Sequence, residues 1–386
     1  MRPLLIRLLT LLLGLCAAIG IAEFLLRTFG KPTRNLGQLY FRDADGNTVG
    51  KSGDVAAAMV AAKKLNLIEE LPADQTPRPR SRFAPGAQFW LCYEDNDVLR
   101  RDWLDARGCV AVNINRYGLR ERDELRPDNK AAAERRIVCI GDSFTFGWGV
   151  PAELTWVRLL ENALRPELGD VRTINCGASG AIAVDEYESG LRTRFGAFQP
   201  DIVLVTICLN DLIPSSGLFV MGPAPQSTGL QLFDRIAALV GKSQLDLDPD
   251  FPWVDTLLGI GEAEGTKAGL YGSDKPYAAM WQQGAPQKSL IAMREWCGAH
   301  QCKLLVSVWP FLQGLGANRI YPFAKLHKML ATFCQQEQIP LLDLLPVLQP
   351  LSAESLWVTP ADMHANPRAQ TAVLPAIVDF VRNHLR

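Results

Sequence analysis

The sequence predicts an α/β fold with a doubly wound, parallel, five-stranded sheet, and three observations indicate it. Short apolar runs alternate with amphipathic helical patterns from residue 136 to residue 386. The run from Lys303 to Trp309 is almost wholly apolar, which is typical of a strand covered on both faces. Polar or glycine-rich turns directly follow three of the runs, at the sheet edge where such folds bind ligands.

The alternation sets the approximate limits of the elements in this domain. Strands are predicted near 136–141, 171–176, 201–209, 303–309 and 339–344, and helices near 151–165, 182–197, 286–300, 321–337 and 367–384. Residues 214–285 interrupt the pattern with a stretch rich in proline, glycine and aromatic residues, with one helix predicted near 229–240. This insertion is a candidate lid or substrate-selecting wall, and the alternative is a long loop packed by its own aromatic side chains.

Composition excludes several other classes of protein. The 386 residues are 48% hydrophobic and 21% charged, which fits a globular protein with a full core. A net charge of −1 gives no electrostatic reason to expect nucleic acid as a partner. The sequence has no P-loop, complete dinucleotide fingerprint or zinc motif, so no cofactor and no metal is predicted. It also lacks the G-x-S-x-G elbow of the α/β-hydrolase fold.

Residues 1–30 predict a hydrophobic helix that anchors the chain in a membrane. Two arginines precede an uncharged run at 8–22, and Glu23 interrupts an apolar continuation to Phe29. A spanning helix needs about 20 apolar residues, and this run reaches that length only by including Glu23. The alternatives are a cleaved signal peptide, with Gly20-Ile21-Ala22 as its small-residue site, and a buried soluble helix. An anchor or a signal peptide would place the domain on the periplasmic or extracellular side.

Residues 31–135 predict an N-terminal extension. The stretch from Pro72 to Pro85 is rich in proline and arginine and indicates a linker or an extended arm. The runs 89–93 and 109–114 are predicted to form a hairpin that brings Cys92 close to Cys109. A disulfide between them is one interpretation for an exported protein, and two buried thiols are the other.

Ser143 is the candidate nucleophile. It follows the apolar run Ile137 to Ile140 and the dipeptide Gly141-Asp142, so it lies where a strand ends and a turn begins. A serine hydroxyl needs a base to remove its proton. Of the four histidines, His364 has a carboxylate close to it in a turn-like setting, since Asp362 precedes it by two residues. Asp362 is suited to orient the imidazole and to stabilise the imidazolium.

Two further segments at predicted strand ends suit an oxyanion hole. Asn175 to Gly180 follows the second strand, and Asn210-Asp211 follows the third. An asparagine amide and an unhindered glycine N–H are both good donors to a developing oxyanion. Asp142 and Asp211 are expected to accept N–H bonds within their own turns.

These four segments, in this order, resemble the SGNH (GDSL-like) hydrolase superfamily. The resemblance covers residues 137–386 and implies Ser143 as nucleophile, His364 as general base and Asp362 as its orienting partner. It implies an oxyanion hole of the Ser143 N–H, Gly180 and Asn210, with Gly177 as second choice for the glycine. Two positions depart from the family pattern, because Cys208 stands where a glycine is usual and Asp362 is two residues before His364 instead of three.

The resemblance also bears on the segment upstream of the serine. Asn115 to Arg120 is similar to a segment that precedes the serine block in bacterial members of the superfamily. For Arg120, a structural ion pair is expected and contact with the site is the alternative.

The resemblance implies an esterase whose substrate is an acyl or acetyl ester of a carbohydrate or lipid. The alternatives are an O-acyltransferase that acts on envelope glycans with the same triad, and a non-catalytic envelope glycan-binding protein. The expected partners are the ester substrate and, through the N-terminal helix, a membrane. The sequence indicates no protein partner.

Overall fold

The computed structural model describes residues 2–29, 40–51, 55–93, 101–179, 182–212, 232, 284–321, 323–359 and 362–385. In chain order the strands are β1 Tyr40–Asp43, β2 Thr48–Lys51, β3 Ile68–Glu70, β4 Ser81–Phe83, β5 Gln88–Cys92, β6 Cys109–Asn113, β7 Arg135–Gly141, β8 Val171–Gly177, β9 Ile202–Cys208, β10 Lys303–Trp309, β11 Leu341–Asp343, β12 Trp357–Thr359 and β13 Asp362–Ala365. The helices are α1 Arg2–Phe29, α2 Val55–Lys64, α3 Ser143–Phe146, α4 Trp156–Leu168, α5 Val184–Thr193, α6 Ala285–Ala299, α7 Ala324–Gln336, α8 Leu345–Leu348 and α9 Pro367–Leu385.

The five predicted core strands form one parallel sheet in the order β11-β10-β9-β7-β8. Within this sheet β7 comes first in the chain and pairs with β8 on one side and with β9 on the other. The chain passes from β8, at the edge, across β7 to β9, so the direction of winding reverses at β7. This doubly wound, parallel α/β topology confirms the predicted fold class. Every residue of β9 is buried, because the strand is central and covered on both faces.

The predicted helices of this domain begin and end close to their predicted limits, and two four-residue helices, α3 and α8, were not predicted. The long helix predicted near 151–165 begins at Trp156, where the hydroxyl of Thr155 accepts the N–H of Arg158. A separate four-residue helix, α3, starts directly at Ser143. Of the helix predicted near 229–240, Leu232 is the one described residue, and nearly all of the proposed insertion lies outside the described residues.

A second, antiparallel sheet with the order β2-β1-β5-β6 precedes the parallel one in the chain. The predicted hairpin is present in it, since β5 pairs with β6 and Cys92 lies opposite Cys109. The two cysteines form a disulfide. Cross-strand pairing and the covalent bond therefore both hold the last residue of β5 in place.

The segment from Pro72 to Pro85 is better described as an arm than as a linker. It contains β4, which pairs with β3, so part of its backbone is tied into a small sheet. Its arginines contact α5: Arg78 forms a two-nitrogen contact with Asp185, at distances of 2.7 to 2.8 Å. These contacts fasten the extension to the parallel-sheet domain.

The chain divides into two compact units, one of Gly37–Phe219 with Leu247–Arg386 and one of Met1–Leu36 with Val220–Asp246. Nearly all described residues of the second unit belong to α1. Within α1, Ile6–Leu26 has a mean hydropathy of 2.3 and is long and apolar enough to cross a membrane. Glu23, which interrupts the apolar run, is buried, and its carboxylate accepts the N–H of Leu232.

Candidate active site

Ser143 lies at the carboxyl end of β7, as the first residue of α3. Asp142 caps this helix, because its carboxylate accepts the N–H of Phe144 at 2.9 Å. Gly141 allows the sharp turn from strand to helix: a Cβ there would lie 2.2 Å from the hydroxyl oxygen of Thr145. The sequence Gly-Asp-Ser thus turns the chain and leaves the serine at the edge of the sheet.

The neighbouring strand supplies the surface on which α3 rests. Gly177 ends β8 and pairs with Gly141. A Cβ on Gly177 would lie 2.1 Å from the main-chain nitrogen of Phe146, so only glycine lets the helix backbone approach this closely. One role of the predicted glycine segment is therefore to make room for the helix that carries Ser143.

His364 and Asp362 lie on strand β13, and the turn-like setting expected for them is wrong. Residues 362–365 pair antiparallel with β12, with Thr359 opposite Asp362 and Trp357 opposite Ala365. Residues two apart on a strand point to the same face, so the spacing that departs from the family pattern brings the carboxylate beside the imidazole.

A chain of hydrogen bonds joins the three side chains. His364 Nε2 lies 2.8 Å from Ser143 Oγ, and His364 Nδ1 lies 2.5 Å from Asp362 Oδ1. With Nδ1 protonated, the imidazole donates to the carboxylate and its Nε2 accepts from the serine hydroxyl. The side chain of His364 is 30% exposed and that of Asp362 is 10% exposed, so a substrate can reach the imidazole while the carboxylate is shielded.

Charges around the imidazole favour its protonated form. Burial alone would lower the pKa of His364, but the charge and hydrogen bond of Asp362, together with the charge of Asp142, raise it above its usual value. Burial opposes ionisation of Asp362 as well. Its charge interaction with His364, and its hydrogen bonds with His364 and Tyr93, nevertheless lower the pKa of Asp362. The pair therefore has an ionised carboxylate beside a basic imidazole.

The predicted oxyanion donors are placed unequally. Asn210 lies half-buried on a short 3₁₀ turn, Leu209–Leu212, at the carboxyl end of β9, the strand next to β7. Gly180 lies outside the described residues. The alternative donor, Gly177, gives its N–H to the side chain of Asn175 at 3.0 Å, so that N–H is already used within the turn.

The two aspartates beside these residues have the turn-stabilising contacts that the sequence predicts. Asp142 accepts the N–H of Phe144, and Asp211 accepts the N–H of Cys208 at 2.7 Å. Both carboxyls are buried, and burial raises the pKa of Asp142 to about 6 and that of Asp211 well above its usual value.

Sequence reasoning missed one side chain that contacts the site. Tyr93 donates its phenol O–H to Asp362 Oδ2 at 2.7 Å, across 269 positions of sequence. The available signal was its place directly after Cys92, because the predicted hairpin and disulfide mark a rigid element. Nothing in the sequence around either residue indicates that Tyr93 and Asp362 are partners.

Arg120 differs from the expected ion pair. Its guanidinium is buried and donates to the carbonyl oxygens of Phe146, Gly147 and Val150, at 3.1, 2.5 and 2.6 Å. Among the described residues, no carboxylate lies within ion-pair distance of it. Arg120 thus holds the loop that follows α3, close to Ser143 in sequence, and its described hydrogen bonds go to main-chain carbonyls and not to Ser143 or His364.

Aromatic rings flank the imidazole. The ring centroids of Phe144 and Trp148 lie 5.8 and 5.9 Å from that of His364, and Trp309 lies 5.4 Å from Phe144. Trp148 is also tied to Ser143, since its main-chain N–H donates to the carbonyl of Ser143 at 3.0 Å. These rings give the surroundings of His364 an apolar character. Within the described residues, no group of three or more His, Cys, Asp or Glu side chains is arranged to hold a metal ion.

Comparison with known proteins identifies a family. The family model described as GDSL-like lipase/acylhydrolase matches residues 139–372. The solved structures that the comparison matches include esterase EstA from Pseudoalteromonas, at 14% identity and a TM-score of 0.37, covering 65% of this chain and 99% of that one. They also include a lipase/acylhydrolase from Enterococcus faecalis, at 14% identity and a TM-score of 0.38, covering 64% and 96%. A variant of the acetyl-xylooligosaccharide esterase Axe2 from Geobacillus shares 13% identity, with a TM-score of 0.38 and coverage of 66% and 96%.

Proposed function

The protein belongs to the GDSL-like lipase/acylhydrolase family, whose model matches more than half of the chain, and we propose that it hydrolyses an oxygen ester through Ser143, His364 and Asp362. One observation carries this proposal: the serine hydroxyl, the imidazole and the carboxylate are joined in one chain by contacts of 2.8 and 2.5 Å. Nucleophile, base and orienting group within hydrogen-bond reach are the signature of an activated serine.

The first half of the reaction makes an acyl-enzyme. His364 Nε2 takes the proton of Ser143 as its oxygen attacks the acyl carbonyl carbon, and a tetrahedral intermediate forms. Asp362 holds the imidazole in the required tautomer and stabilises the imidazolium. The carbon–oxygen bond to the alcohol then breaks, and His364 gives its proton to the leaving alkoxide. In the second half, water takes the place of the alcohol, and the acid is released.

Three donors are proposed to stabilise the oxyanion. They are the N–H of Ser143 at the start of α3, the N–H of Gly180 and the side-chain amide of Asn210. The position of Asn210 at the end of the strand beside β7 supports its inclusion. Because Gly177 donates to Asn175, Gly180 is the better candidate for the glycine donor. Such donors act most strongly where water is excluded, and the aromatic rings around His364 favour this.

The proposed substrate is an acyl or acetyl ester of a carbohydrate or lipid. Phe144 and Trp148 beside the imidazole offer flat apolar surface, which suits an acyl chain or the face of a sugar ring. Two features support a place outside the cytoplasm: the apolar helix α1, and the disulfide between Cys92 and Cys109, since disulfides persist in oxidising compartments. We therefore propose an anchored enzyme whose catalytic domain faces the periplasm or the exterior.

The proposal is tested with the full-length protein, a p-nitrophenyl acetate assay and an organophosphonate probe. Ser143→Ala should lose both ester turnover and covalent labelling, because the attacking oxygen is gone. Asn210→Ala should fold and lose about 10²–10³ in kcat, as expected for one oxyanion donor. Labelling that persists in Ser143→Ala would identify a different nucleophile and end the proposal.

The same variants separate hydrolysis from acyl transfer. With a sugar acceptor added, a hydrolase releases the free acid at an unchanged rate, whereas an O-acyltransferase forms an acylated sugar. A wild-type protein that is neither labelled nor active on a panel of esters would favour a non-catalytic glycan-binding role.

A further inference from the structure

We propose that Tyr93, from the N-terminal extension, is a positioning residue that holds Asp362 in the orientation that His364 requires. The inference rests on the proposed function of the Ser143-His364-Asp362 chain. The observation behind it is that the two oxygens of one carboxylate bind different partners. Asp362 Oδ1 lies 2.5 Å from His364 Nδ1, and Asp362 Oδ2 accepts the phenol O–H of Tyr93 at 2.7 Å.

A carboxylate held at both oxygens cannot rotate without losing a hydrogen bond. Asp362 receives further support from the N–H of His364 at 3.2 Å and gives its own N–H to the hydroxyl of Thr359 at 3.1 Å. The His364 N–H adds a second donor at Oδ1, whereas among the described residues the phenol of Tyr93 is the donor at Oδ2. The phenol therefore sets the plane of the carboxylate, and the carboxylate sets the plane of the imidazole.

The phenol is suited to act only as a donor. Tyr93 is buried and packs with Val150 and Val358, and Val358 belongs to β12, the strand that pairs with β13. Burial, together with the charge of Asp362, raises the pKa of Tyr93 well above its usual value. The raised pKa favours the protonated phenol, so the hydrogen bond runs from the phenol to the carboxylate.

The backbone around Tyr93 is held rigidly. Cys92, directly before it, is bonded to Cys109, and the N–H of Tyr93 donates to the carbonyl of Gly108 at 3.1 Å. Gly149 leaves room for the phenol, because a Cβ there would lie 2.4 Å from the Tyr93 oxygen. The disulfide-closed hairpin thus presents one hydroxyl to a carboxylate that lies 269 positions later in the chain.

The decisive variant is Tyr93→Phe, which removes the hydroxyl and keeps the ring. We expect kcat to fall about tenfold, the size associated with one hydrogen bond to a charged group, with KM changed less than about twofold. The matched control is Tyr117→Phe, another tyrosine of the extension, whose ring packs edge-on against Phe198. The control should leave kcat and KM unchanged.

The pH profile distinguishes positioning from mere packing. Without the phenol, the carboxylate keeps more charge for the imidazolium, so the pKa of His364 rises and the acid limb of kcat/KM moves to higher pH. Site-specific 3-fluorotyrosine at position 93 keeps the shape and donates more strongly, so the limb should move to lower pH. This second variant keeps the test valid if Tyr93→Phe does not fold.

A double-mutant cycle completes the test. In an Asp362→Ala background, Tyr93→Phe should cost little further activity, because the group that it positions is absent. Equal losses in both backgrounds, or a wild-type pH profile in both Tyr93 variants, would overturn the positioning role. Suppose that Ser143→Ala is inactive and unlabelled, but the cycle or the pH profiles contradict the positioning role. The proposed function then survives, and only the role of Tyr93 is lost.

Discussion

Asp142 combines a structural and an electrostatic effect in one buried side chain. It caps the helix that begins at Ser143, which explains an aspartate between the glycine and the serine. The same carboxylate contributes to raising the pKa of His364. Because burial raises the pKa of Asp142 to about 6, its carboxylate is mostly ionised only above that pH. A residue predicted to stabilise a turn therefore also adjusts the proposed base.

The pH dependence of ester turnover follows from these two groups. His364 must be neutral to accept a proton, and its pKa is raised above 6.5, so kcat/KM should rise with pH through a midpoint above 6.5. Asp142→Asn keeps an oxygen acceptor for Phe144 but removes the charge, so the midpoint should move to lower pH. The measurement is kcat/KM against pH, with the exposed Asp379→Asn as control. A midpoint that stays in place or moves upward in Asp142→Asn would contradict the electrostatic effect of Asp142.

At the scale of elements, the site depends on two close contacts between backbones. Helix α3 can start directly after β7 and lie on β8 only because Gly141 and Gly177 have no Cβ. Strand β13, which pairs with β12, carries His364 to a position beside this helix. Side chains alternate between the two faces of a strand, so Asp362 and His364 lie on the same face. The geometry of the three side chains thus follows from how β7, β8, α3 and β13 pack together.

Gly177→Ala tests the contact between β8 and α3. The new Cβ would lie 2.1 Å from the nitrogen of Phe146, so the helix must shift and carry Ser143 away from His364. A misplacement of about 1 Å can cost about 10²-fold in rate, and we expect a loss of that order in kcat. Gly298→Ala is the matched control, because a Cβ at that position in α6 meets nothing within 4 Å. Wild-type kcat in a folded Gly177→Ala protein would show that the contact is not needed.

At the scale of the whole molecule, the N-terminal extension and the parallel-sheet domain belong to one compact unit. Arg78 fastens the arm to α5, Arg120 holds the loop after α3, and Tyr93 reaches Asp362. We propose that the described parts of the extension and of the parallel-sheet domain within this unit act as one catalytic body.

The fate of α1 decides how the protein is localised. We expect a retained anchor, because Ile6–Leu26 is 21 residues long with a mean hydropathy of 2.3. Expression of the full-length chain in an export-competent bacterium should give an intact N-terminus in the carbonate-resistant membrane fraction. Mass spectrometry of the N-terminal peptide is the measurement. A soluble product that begins directly after Ala22 would instead show a cleaved signal peptide.

The sequence by itself determined the fold class and brought Ser143, His364 and Asp362 forward as a set. Strand and helix periodicity records local burial, which predicts the fold class, and Ser143 lies where a predicted strand ends. His364 and Asp362 stand out because, of the four histidines, His364 has a carboxylate two residues before it in a turn-like setting. The observed strands β7 to β11 lie within two residues of the predicted limits at each end. The same reasoning predicted the hairpin of Cys92 and Cys109, which the structure joins by a disulfide.

Only the tertiary structure decided which groups contact one another. It placed His364 on a strand whose partner, β12, was not predicted, and it brought Tyr93 to Asp362 across 269 positions. It also showed that the N–H of Gly177 is used by Asn175 and that Arg120 binds main-chain carbonyls. The physical reason is that such contacts depend on how separate elements pack, and neither partner has a local sequence pattern that identifies the other.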